Sequence, residues 1–330
     1  MRTLYVSQQG CYVSLQQENL VVKQGETICG EVQLPLLEQI LIFGKSQITT
    51  QAIRACLWRG IPIAYLSRMG YCYGRILPIE RGYRQLSRYQ QQLSVVERLL
   101  VARQIVQAKL KNCRVILMRQ QRRQSSEVIA LAIQRLEYLI RQAESADTIE
   151  RLMGFEGASA REYFSAFGEC LNNAEFVFAG RSRRPPGNPV NAMLSFGYQV
   201  LWNHLLSLIE LQGLDPYYPC LHQGTERHAA LASDLIEEFR APIVDSLVMY
   251  LVNRKLMDGE KDFVYHDGGC YLNDFGRPKY LKAFLQRMEE EIQTESGEKQ
   301  PKWDLLTQQV KAFKQFVYNP TQLYTPYQIR

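Results

Sequence analysis

The sequence changes character once, near Pro78, and this change constrains the fold more than any other feature. Before it, short segments rich in β-branched and aromatic residues are separated by turn residues such as Gly25. Strands with this spacing are typical of a small β-sandwich or mixed sheet. Thr49 or Thr50 is expected to cap a short helix that Gly60 ends. The predicted strands are Leu4–Val6, Cys11–Leu15, Leu20–Val22, Gln39–Phe43 and Ile61–Leu66.

Beyond this point apolar residues recur at helical spacing over long stretches. One stretch contains Leu93, Val96 and Leu100, and the next begins at a capping serine, Ser125 or Ser126. The sequence therefore predicts an α+β chain in which a β-sandwich-like domain precedes a larger helical domain. The predicted divisions are a β-rich domain over residues 1–82, a linker over 83–90 and a helical domain over 91–330.

Positive charge is concentrated in one segment of the chain. Residues 81–123 contain eleven Lys or Arg and one acidic residue, a net charge of +10, whereas the whole chain carries +6. Such an excess is typical of a surface that binds a polyanion, either nucleic acid or a membrane. The alternative is a solvated helix face without a partner. A membrane surface is least favoured, because the segment lacks a strongly hydrophobic opposite face.

Several classes of protein are disfavoured by what the sequence lacks. No apolar run reaches the ~18–20 residues that cross a bilayer, and no signal peptide is recognisable. The eight cysteines include no C-x-x-C pair, which disfavours structural zinc and indicates reduced thiols in the cytoplasm. Gly44-Lys45-Ser46 is not a P-loop, because Gln39 stands where that motif has glycine. Neither a dinucleotide-binding fingerprint nor a nucleophile elbow is present.

One histidine stands near a pair of carboxylates. His222 lies in a polar loop, and a helix is expected from Ala229 to about Leu251. Asp234 and Glu237 stand three residues apart on that helix, so both point to one side. Carboxylate oxygens suit Mg²⁺ or Mn²⁺, and imidazole suits Mn²⁺, which makes this a candidate metal site. The alternative is an exposed acidic pair beside an unrelated histidine.

A second candidate is Glu156, which stands between Gly154 and Gly157 in an alanine-rich helical segment. Each glycine costs a helix about 1 kcal/mol, and a glycine allows a backbone or a ligand to approach closely. The alternative is a loop between helices. Two further segments are predicted to be non-helical: a loop over 179–189, rich in arginine, proline and glycine, and a hairpin over 263–272.

Taken in order, these segments resemble the signatures of CRISPR-associated protein one, the integrase-endonuclease family of spacer acquisition. Residues 154–164, G-F-E-G-A-S-A-R-E-Y-F, resemble its G-I-E-G-x-x-A-R-x-Y-F block. Residues 183–198 are similar to its R-R-P-P block, and His222 with residues 234–240 to its third block. The likeness covers essentially the whole chain. Two departures affect loops: Asn188 replaces the usual Asp, and Pro219-Cys220 replace a glycine and an aromatic residue.

The resemblance implies an N-terminal domain for dimerisation and partner docking and an all-α catalytic domain. It implies a homodimer that assembles with a small ferredoxin-fold CRISPR adaptation partner protein. It further implies that Glu156, His222 and Glu237 bind Mg²⁺ or Mn²⁺, with Asp234 as a fourth catalytic residue. The implied reaction is attack of the 3′-hydroxyl of prespacer DNA on a phosphodiester at the border of a CRISPR repeat and its leader. Water in place of the hydroxyl gives endonuclease activity.

DNA capture is assigned to the basic side chains, whose phosphate contacts position DNA and make binding salt-dependent. The candidates are Arg84, Arg88, Arg98, Arg103, Lys109, Lys111, Arg114, Arg181, Arg183 and Arg184. Two rival functions stay open at this point. One is a metal-dependent, structure-specific DNA nuclease in repair, and the other is a non-catalytic nucleic-acid-binding scaffold.

Overall fold

The computed structural model describes residues 2–67, 72–78, 83–225, 228–293, 297 and 299–329. Its N-terminal part consists of two sheets and one short helix. The strands are β1 (Arg2–Val6), β2 (Tyr12–Gln16), β3 (Asn19–Gln24), β4 (Thr27–Gln33), β5 (Leu37–Phe43), β6 (Gln47–Ile48), β7 (Ile63–Leu66) and β8 (Cys72–Ile76), with helix α1 (Thr50–Trp58) before β7. This arrangement confirms the β-rich N-terminal domain and adds β4, β6 and β8 to the predicted strands.

The two sheets differ in strand direction. The first has the order β1-β5-β7-β8, in which β1, β5 and β7 are parallel and β8 is antiparallel. The second has the order β4-β3-β2-β6, built from two antiparallel hairpins with β6 parallel to β2. Thr49 caps α1 by accepting a hydrogen bond from the Ala52 N–H at 3.2 Å, as predicted.

Strand β5 is buried on both faces and joins the two parts of the protein. Ile40 and Ile42 point into the core between the sheets. Leu41 and Phe43 point the other way and belong to the core of the helical domain. Phe43 stacks on His204 with ring centroids 5.1 Å apart. Successive residues of a strand face opposite sides, so the part of β5 that both domains bury, Ile40–Phe43, is apolar at every position.

The helical domain is built from long helices with polar caps. The helices are α2 (Tyr83–Gln92), α3 (Val95–Gln121), α4 (Glu127–Glu144), α5 (Ile149–Phe167), α6 (Pro189–Leu211), α7 (Ala230–Ile236), α8 (Ser246–Asn253), α9 (Gly276–Glu289) and α10 (Lys302–Tyr318). Ser94 and Glu97 form a capping box at the start of α3, and Ser126 caps α4. Asn188 caps α6, so this departure from the usual Asp keeps the capping oxygen. In the described residues, no helix is both long and apolar enough to cross a membrane.

The predicted linker, residues 83–90, is helical and forms most of α2. This helix is tied to the helical domain, because the Gln90 side chain donates to the carbonyls of Asp215 and Tyr218 at 2.8 and 2.9 Å. The domain boundary itself stays a prediction.

Two hairpins interrupt the helical domain. Strands β9 (Phe263–His266) and β10 (Gly269–Leu272) confirm the predicted hairpin, with its turn at Asp267 (φ 49°) and Gly268 (φ 72°). A second pair, β11 (Glu291–Gln293) and β12 (Lys299–Pro301), was not predicted. The domain is therefore predominantly helical and contains two short sheets besides its helices.

The continuous helix expected from Ala229 to about Leu251 is wrong. Helix α7 ends at Ile236, a turn covers residues 237–239, and a π-helical segment, Arg240–Asp245, leads into α8. Pro242 accounts for the break, because it lacks an N–H and its ring clashes with the carbonyl four residues earlier. The break determines where Glu237 and Arg240 lie.

Candidate active site

Asp234 holds the loop that carries His222. Its side chain is fully buried on α7, and its Oδ2 accepts hydrogen bonds from the N–H groups of Cys220 (2.6 Å) and Leu221 (2.9 Å). Its Oδ1 accepts from the His222 N–H (3.0 Å) and lies 2.8 Å from His222 Nδ1. A carboxylate has about four acceptor positions, and all four are used here. Asp234 is therefore an orienting residue rather than a metal ligand in this geometry.

The imidazole of His222 is fixed by the same contact. An ionised carboxylate only accepts hydrogen bonds, so Nδ1 carries the proton and Nε2 is the nitrogen left to act as a ligand. Burial lowers the pKa of His222, but the hydrogen bond and the charge of Asp234 outweigh it and raise the pKa. Cys220 stands where the family usually has another residue. This difference leaves the loop intact, because the contact of Cys220 with Asp234 is made by the backbone N–H.

Glu156 and Glu237 come together around a lysine. Glu156 lies on α5, Glu237 lies in the turn after α7, and Lys109 reaches both from α3. Lys109 Nζ contacts Glu156 Oε1 and lies 2.6 Å from Glu237 Oε2. Arg240 Nη1 lies 2.8 Å from Glu237 Oε1. Residues far apart in sequence thus form one buried charge cluster.

The charges within the cluster control its protonation. Burial raises the pKa of Glu237, but the charges of Arg240 and Lys109 outweigh it and hold the pKa below its ordinary value. Burial lowers the pKa of Lys109, but Glu237 and Glu156 outweigh it and raise the pKa. His222 is near enough for its charge to act on Glu237. The carboxylate of Glu237 is therefore ionised and ready to bind a cation.

The residues present fit a divalent metal in their chemistry. They supply two carboxylates and an imidazole, which suit Mg²⁺ or Mn²⁺. Glu237 Oε2 is buried and makes no well-aligned hydrogen bond. Within the described residues, however, no three His, Cys, Asp or Glu side chains are close enough together to hold one ion. The two glutamates meet through the ammonium of Lys109 instead.

Gly154 and Gly157 lie inside α5, so the alternative of a loop around Glu156 is wrong. Both glycines are exposed, and a Cβ built on either meets no atom within 4 Å. Their side of the helix is open and flat beside Glu156.

A second buried cluster lies behind the glutamates. The Tyr198 hydroxyl donates to Asp245 Oδ1, and the guanidinium groups of Arg240 and Arg181 lie 5.0 and 5.5 Å from the centre of the Tyr198 ring. A cavity of about 20 Å³, room for one water molecule, is lined by Lys109, Tyr163, Tyr198, Arg183, Arg240 and Asp245, among others. The Tyr163 hydroxyl is buried beside the Asp245 carboxylate. The cavity thus joins the two clusters.

Asp245 makes the free energy of unfolding depend on pH. Burial raises its pKa from 3.8 to about 6, against the opposing effects of Tyr198, Tyr163, Arg181 and Arg240. Because the folded pKa exceeds the unfolded one, the contribution of Asp245 to stability is most favourable below pH 3.8 and falls as pH rises towards 6. The full cost above pH 6 is about 3 kcal/mol.

We expect Asp245→Asn to remove this cost while keeping an acceptor for Tyr198. Its gain in unfolding free energy over wild type should be about 2 kcal/mol larger at pH 8 than at pH 4.5, measured by urea denaturation. Asp267→Asn, at an exposed turn, is the matched control and should show no such difference. An equal effect of Asp245→Asn at both pH values would contradict the prediction.

A cleft of about 840 Å³ opens beside His222. Its walls come from α2, the start of α3, the start of α5 and the loop 217–224. Arg98 and the half-exposed rings of Tyr217 and Tyr218 line it. A cation and aromatic faces in one cleft suit a single nucleic-acid strand.

The arginine-rich loop, residues 179–189, packs against the hairpin β9–β10. The Cys270 N–H donates to the Pro186 carbonyl at 2.7 Å, and a Cβ on Gly269 would come within 2.7 Å of Pro185. Arg181 is half-buried and donates to Asn191 Oδ1 and Ser195 Oγ. Arg183 and Arg184 are exposed.

The other predicted DNA contacts fall in several environments. Arg88 and Arg98 are exposed, and Lys111 is half-buried. Arg103 donates to the Ala146 carbonyl, and Arg114 pairs with Glu137 at 2.9 Å. Lys109 is buried between Glu156 and Glu237, so it does not lie on an open basic face. The side chain of Arg84 is outside the described residues.

Sequence reasoning assigned Lys109 to DNA binding and not to the cluster of Glu156 and Glu237, although a signal for the buried position existed. Lys109 occupies a core position of the apolar stripe formed by Ala102, Ile105, Val106 and Cys113, all of them buried. A charged residue at such a position needs a buried partner. Arg240 was overlooked because its role depends on the break after α7.

Comparison with known proteins identifies the family. The family model for CRISPR associated protein Cas1 matches residues 4–286. A CRISPR-associated endonuclease Cas1 of Thermus thermophilus is 32% identical over 94% of this chain and 95% of its own length. A Cas4/Cas1 fusion of Geobacter sulfurreducens is 36% identical over 88% of this chain, and the match spans 53% of the fusion, about half its length.

Solved structures share the fold. A partial Cas6-RT-Cas1–Cas2 complex matches with a TM-score of 0.85 at 24% identity, covering 100% of this chain and 99% of that one. A casposase bound to its integration product matches with a TM-score of 0.75 at 22% identity, covering both chains fully (100% of each). A Cas1 protein from Thermotoga maritima matches with a TM-score of 0.69 at 25% identity, covering 97% of each chain. The family model matches most of the chain, and the Thermus thermophilus relative matches nearly all of it. This chain therefore belongs to the Cas1 family of CRISPR-associated proteins.

Proposed function

We propose that the protein is a metal-dependent DNA integrase and endonuclease of CRISPR spacer acquisition. It joins the 3′-hydroxyl ends of prespacer DNA to the repeat borders of a CRISPR array by transesterification. The observation that carries the proposal is the meeting of Glu156, from α5, and Glu237, from the turn after α7, in one charge cluster within electrostatic range of His222. The names of the curated relatives support the nuclease chemistry, and the casposase structure supports joining over simple cleavage.

Glu156, Glu237 and His222 would hold Mg²⁺ or Mn²⁺. When bound, such an ion neutralises and polarises a phosphodiester and favours ionisation of the attacking oxygen. Asp234 would keep the His222 ring in the orientation that presents Nε2. Arg240 keeps Glu237 ionised, so this carboxylate needs no proton release before it binds a cation.

The protein side chains would also position the DNA. The cleft beside His222 fits a single strand whose end reaches the site, with Arg98 on the phosphates and Tyr217 and Tyr218 against the bases. Arg183 and Arg184 would hold phosphates on the other side of the site. Breaking one phosphodiester while making another needs no nucleotide hydrolysis, in keeping with the lack of a P-loop.

The assembly is proposed from the resemblance and the structural neighbours. We infer a homodimer through the N-terminal domain and a complex with a small ferredoxin-fold partner. The neighbour that contains Cas1 together with Cas2 supports this partner class.

The decisive experiment uses a labelled DNA with 3′-hydroxyl ends and a supercoiled plasmid that carries a repeat array. With Mn²⁺ and the partner protein, we expect the label to join the plasmid at the repeat borders, and a 3′-blocked DNA to remain unjoined. Nicking without joining would support the repair-nuclease alternative. Binding without either product would support the scaffold alternative.

Exposed arginines should set the salt dependence of DNA binding. We expect the double variant Arg183→Ala/Arg184→Ala to reduce the slope of log K against log salt by about 2, because each lost phosphate contact removes about 0.9. Fluorescence anisotropy between 50 and 300 mM salt measures it. Arg141→Ala/Arg151→Ala removes the same charge from exposed positions on α4 and α5 and is the matched control. If the two variants have equal slopes of log K against log salt, the loop that carries Arg183 and Arg184 does not contact DNA.

A further inference from the structure

Lys109 occupies the gap between the two carboxylates of the site. Its ammonium contacts Glu156 Oε1 and lies 2.6 Å from Glu237 Oε2, and only 9% of its side chain is exposed. A divalent ion bound by both glutamates would have to enter this same gap. An ammonium and a divalent ion cannot share it, because they repel each other and compete for the same oxygens.

The gap has an adjoining space on the Lys109 side. The cavity of about 20 Å³ is lined by Lys109, Tyr163 and Asp245. Tyr163 and Asp245 are each 1% exposed, and the Tyr163 hydroxyl lies beside the Asp245 carboxylate. A displaced ammonium would therefore find an acceptor and a carboxylate there without reaching solvent.

We propose that Lys109 is the resident cation of the site, bridging Glu156 and Glu237 without metal and withdrawing towards Asp245 when a divalent ion binds. The proposal rests on the proposed function, since it concerns the same metal site. It explains why the glutamates meet while the described side chains form no ready three-ligand group. It also gives the lysine a purpose: without a counter-charge, two buried carboxylates repel each other.

In this proposal Lys109 and the divalent ion compete for the carboxylates of Glu156 and Glu237. Replacing Lys109 with an uncharged residue removes that competition. In Lys109→Met the metal no longer has to displace a bound ammonium, whereas Arg240 still keeps Glu237 ionised. We expect Lys109→Met to bind Mn²⁺ with a Kd about tenfold or more below that of wild type, the scale on which neighbours of metal ligands change affinity. Its apparent melting temperature should be lower than wild type without metal and rise more on adding Mn²⁺.

The experiment is a titration of the protein, residues 1–330, with Mn²⁺. Binding is monitored by calorimetry and by the electron paramagnetic resonance signal of free Mn²⁺. Lys111→Met is the matched control, because Lys111 lies on the same helix, carries the same charge and is half-buried away from the pair. Lys109→Gln is a second variant, since its amide still donates to a carboxylate and favours folding if Lys109→Met is unstable.

The outcomes separate this proposal from the proposed function. Tighter Mn²⁺ binding by both Lys109 variants, with Lys111→Met like wild type, supports the resident cation. If the wild-type protein binds Mn²⁺ and the Lys109 variants bind it equally or more weakly, the resident-cation proposal is overturned. The proposed metal-dependent function is not affected by that result. No Mn²⁺ binding by any of the proteins overturns the metal site, and the resident cation with it.

Discussion

Glu156→Gln is expected to reduce strand transfer by a factor on the order of 10³ while DNA binding changes little. The substitution keeps the shape of the side chain and removes the charge that a divalent ion needs. Glu156 is the cleaner of the two glutamates to test, because among the described residues its carboxylate forms an ion pair with Lys109 alone. Glu237 also pairs with Arg240, so its loss would leave the buried Arg240 without this ion pair and Lys109 with Glu156 alone.

The control lies six residues further along the same helix. Glu162→Gln removes a half-buried carboxylate that pairs with Arg135 at 2.7 Å and should retain full strand transfer. The assay is joining of a labelled 3′-hydroxyl end to the plasmid, with anisotropy for DNA binding and urea unfolding for stability. Strand transfer by Glu156→Gln within a few-fold of wild type would remove Glu156 from the site.

Asp234→Ala is expected to produce the second large effect, a combined loss of stability and metal affinity. The substitution leaves three buried backbone N–H groups, at residues 220–222, without their acceptor and frees the His222 ring. We expect the free energy of unfolding to fall by about 3–5 kcal/mol and Mn²⁺ affinity to fall ten- to a hundredfold. Asp234→Asn, which keeps one oxygen acceptor, should lie between Ala and wild type.

A comparison with His222→Ala separates orientation from ligation. His222→Ala should lose metal affinity but little stability, because the imidazole is not part of the backbone hydrogen bonds that Asp234 accepts. Urea denaturation and Mn²⁺ calorimetry on the three variants give both quantities. A stable Asp234→Ala protein with wild-type Mn²⁺ affinity would refute the orienting role.

The local features of the sequence predicted much of the fold. Strand alternation, caps such as Ser94, Ser126 and Asn188, and the Asp267-Gly268 turn act over a few residues, so their residue types suffice. Prediction was poorer where one residue competed with a longer pattern. The apolar stripe after Ala229 predicted one helix, and Pro242 broke it.

The candidate site divides in the same way. Glu156, His222, Asp234 and Glu237 were recognisable because family-like motifs carry them. Their roles were not, because a role depends on which groups lie opposite. The buried N–H donors around Asp234 make it an orienting residue, and the position of Lys109 between α5 and the turn after α7 makes it a partner of Glu156 and Glu237.

The sequence by itself determined the order of a β-rich and a helical part, the capped ends of the main helices and the identity of the acidic and imidazole groups. The first two properties follow from short-range sterics and periodicity, and the third follows from the resemblance of the motifs to those of a known family. Only the tertiary structure decided that a lysine on α3 lies between the glutamates and that a carboxylate on α7 fixes the histidine. Electrostatic and hydrogen-bond partners are set by distances through space, and residues as far apart in sequence as Lys109 and Glu237 come within those distances only after folding.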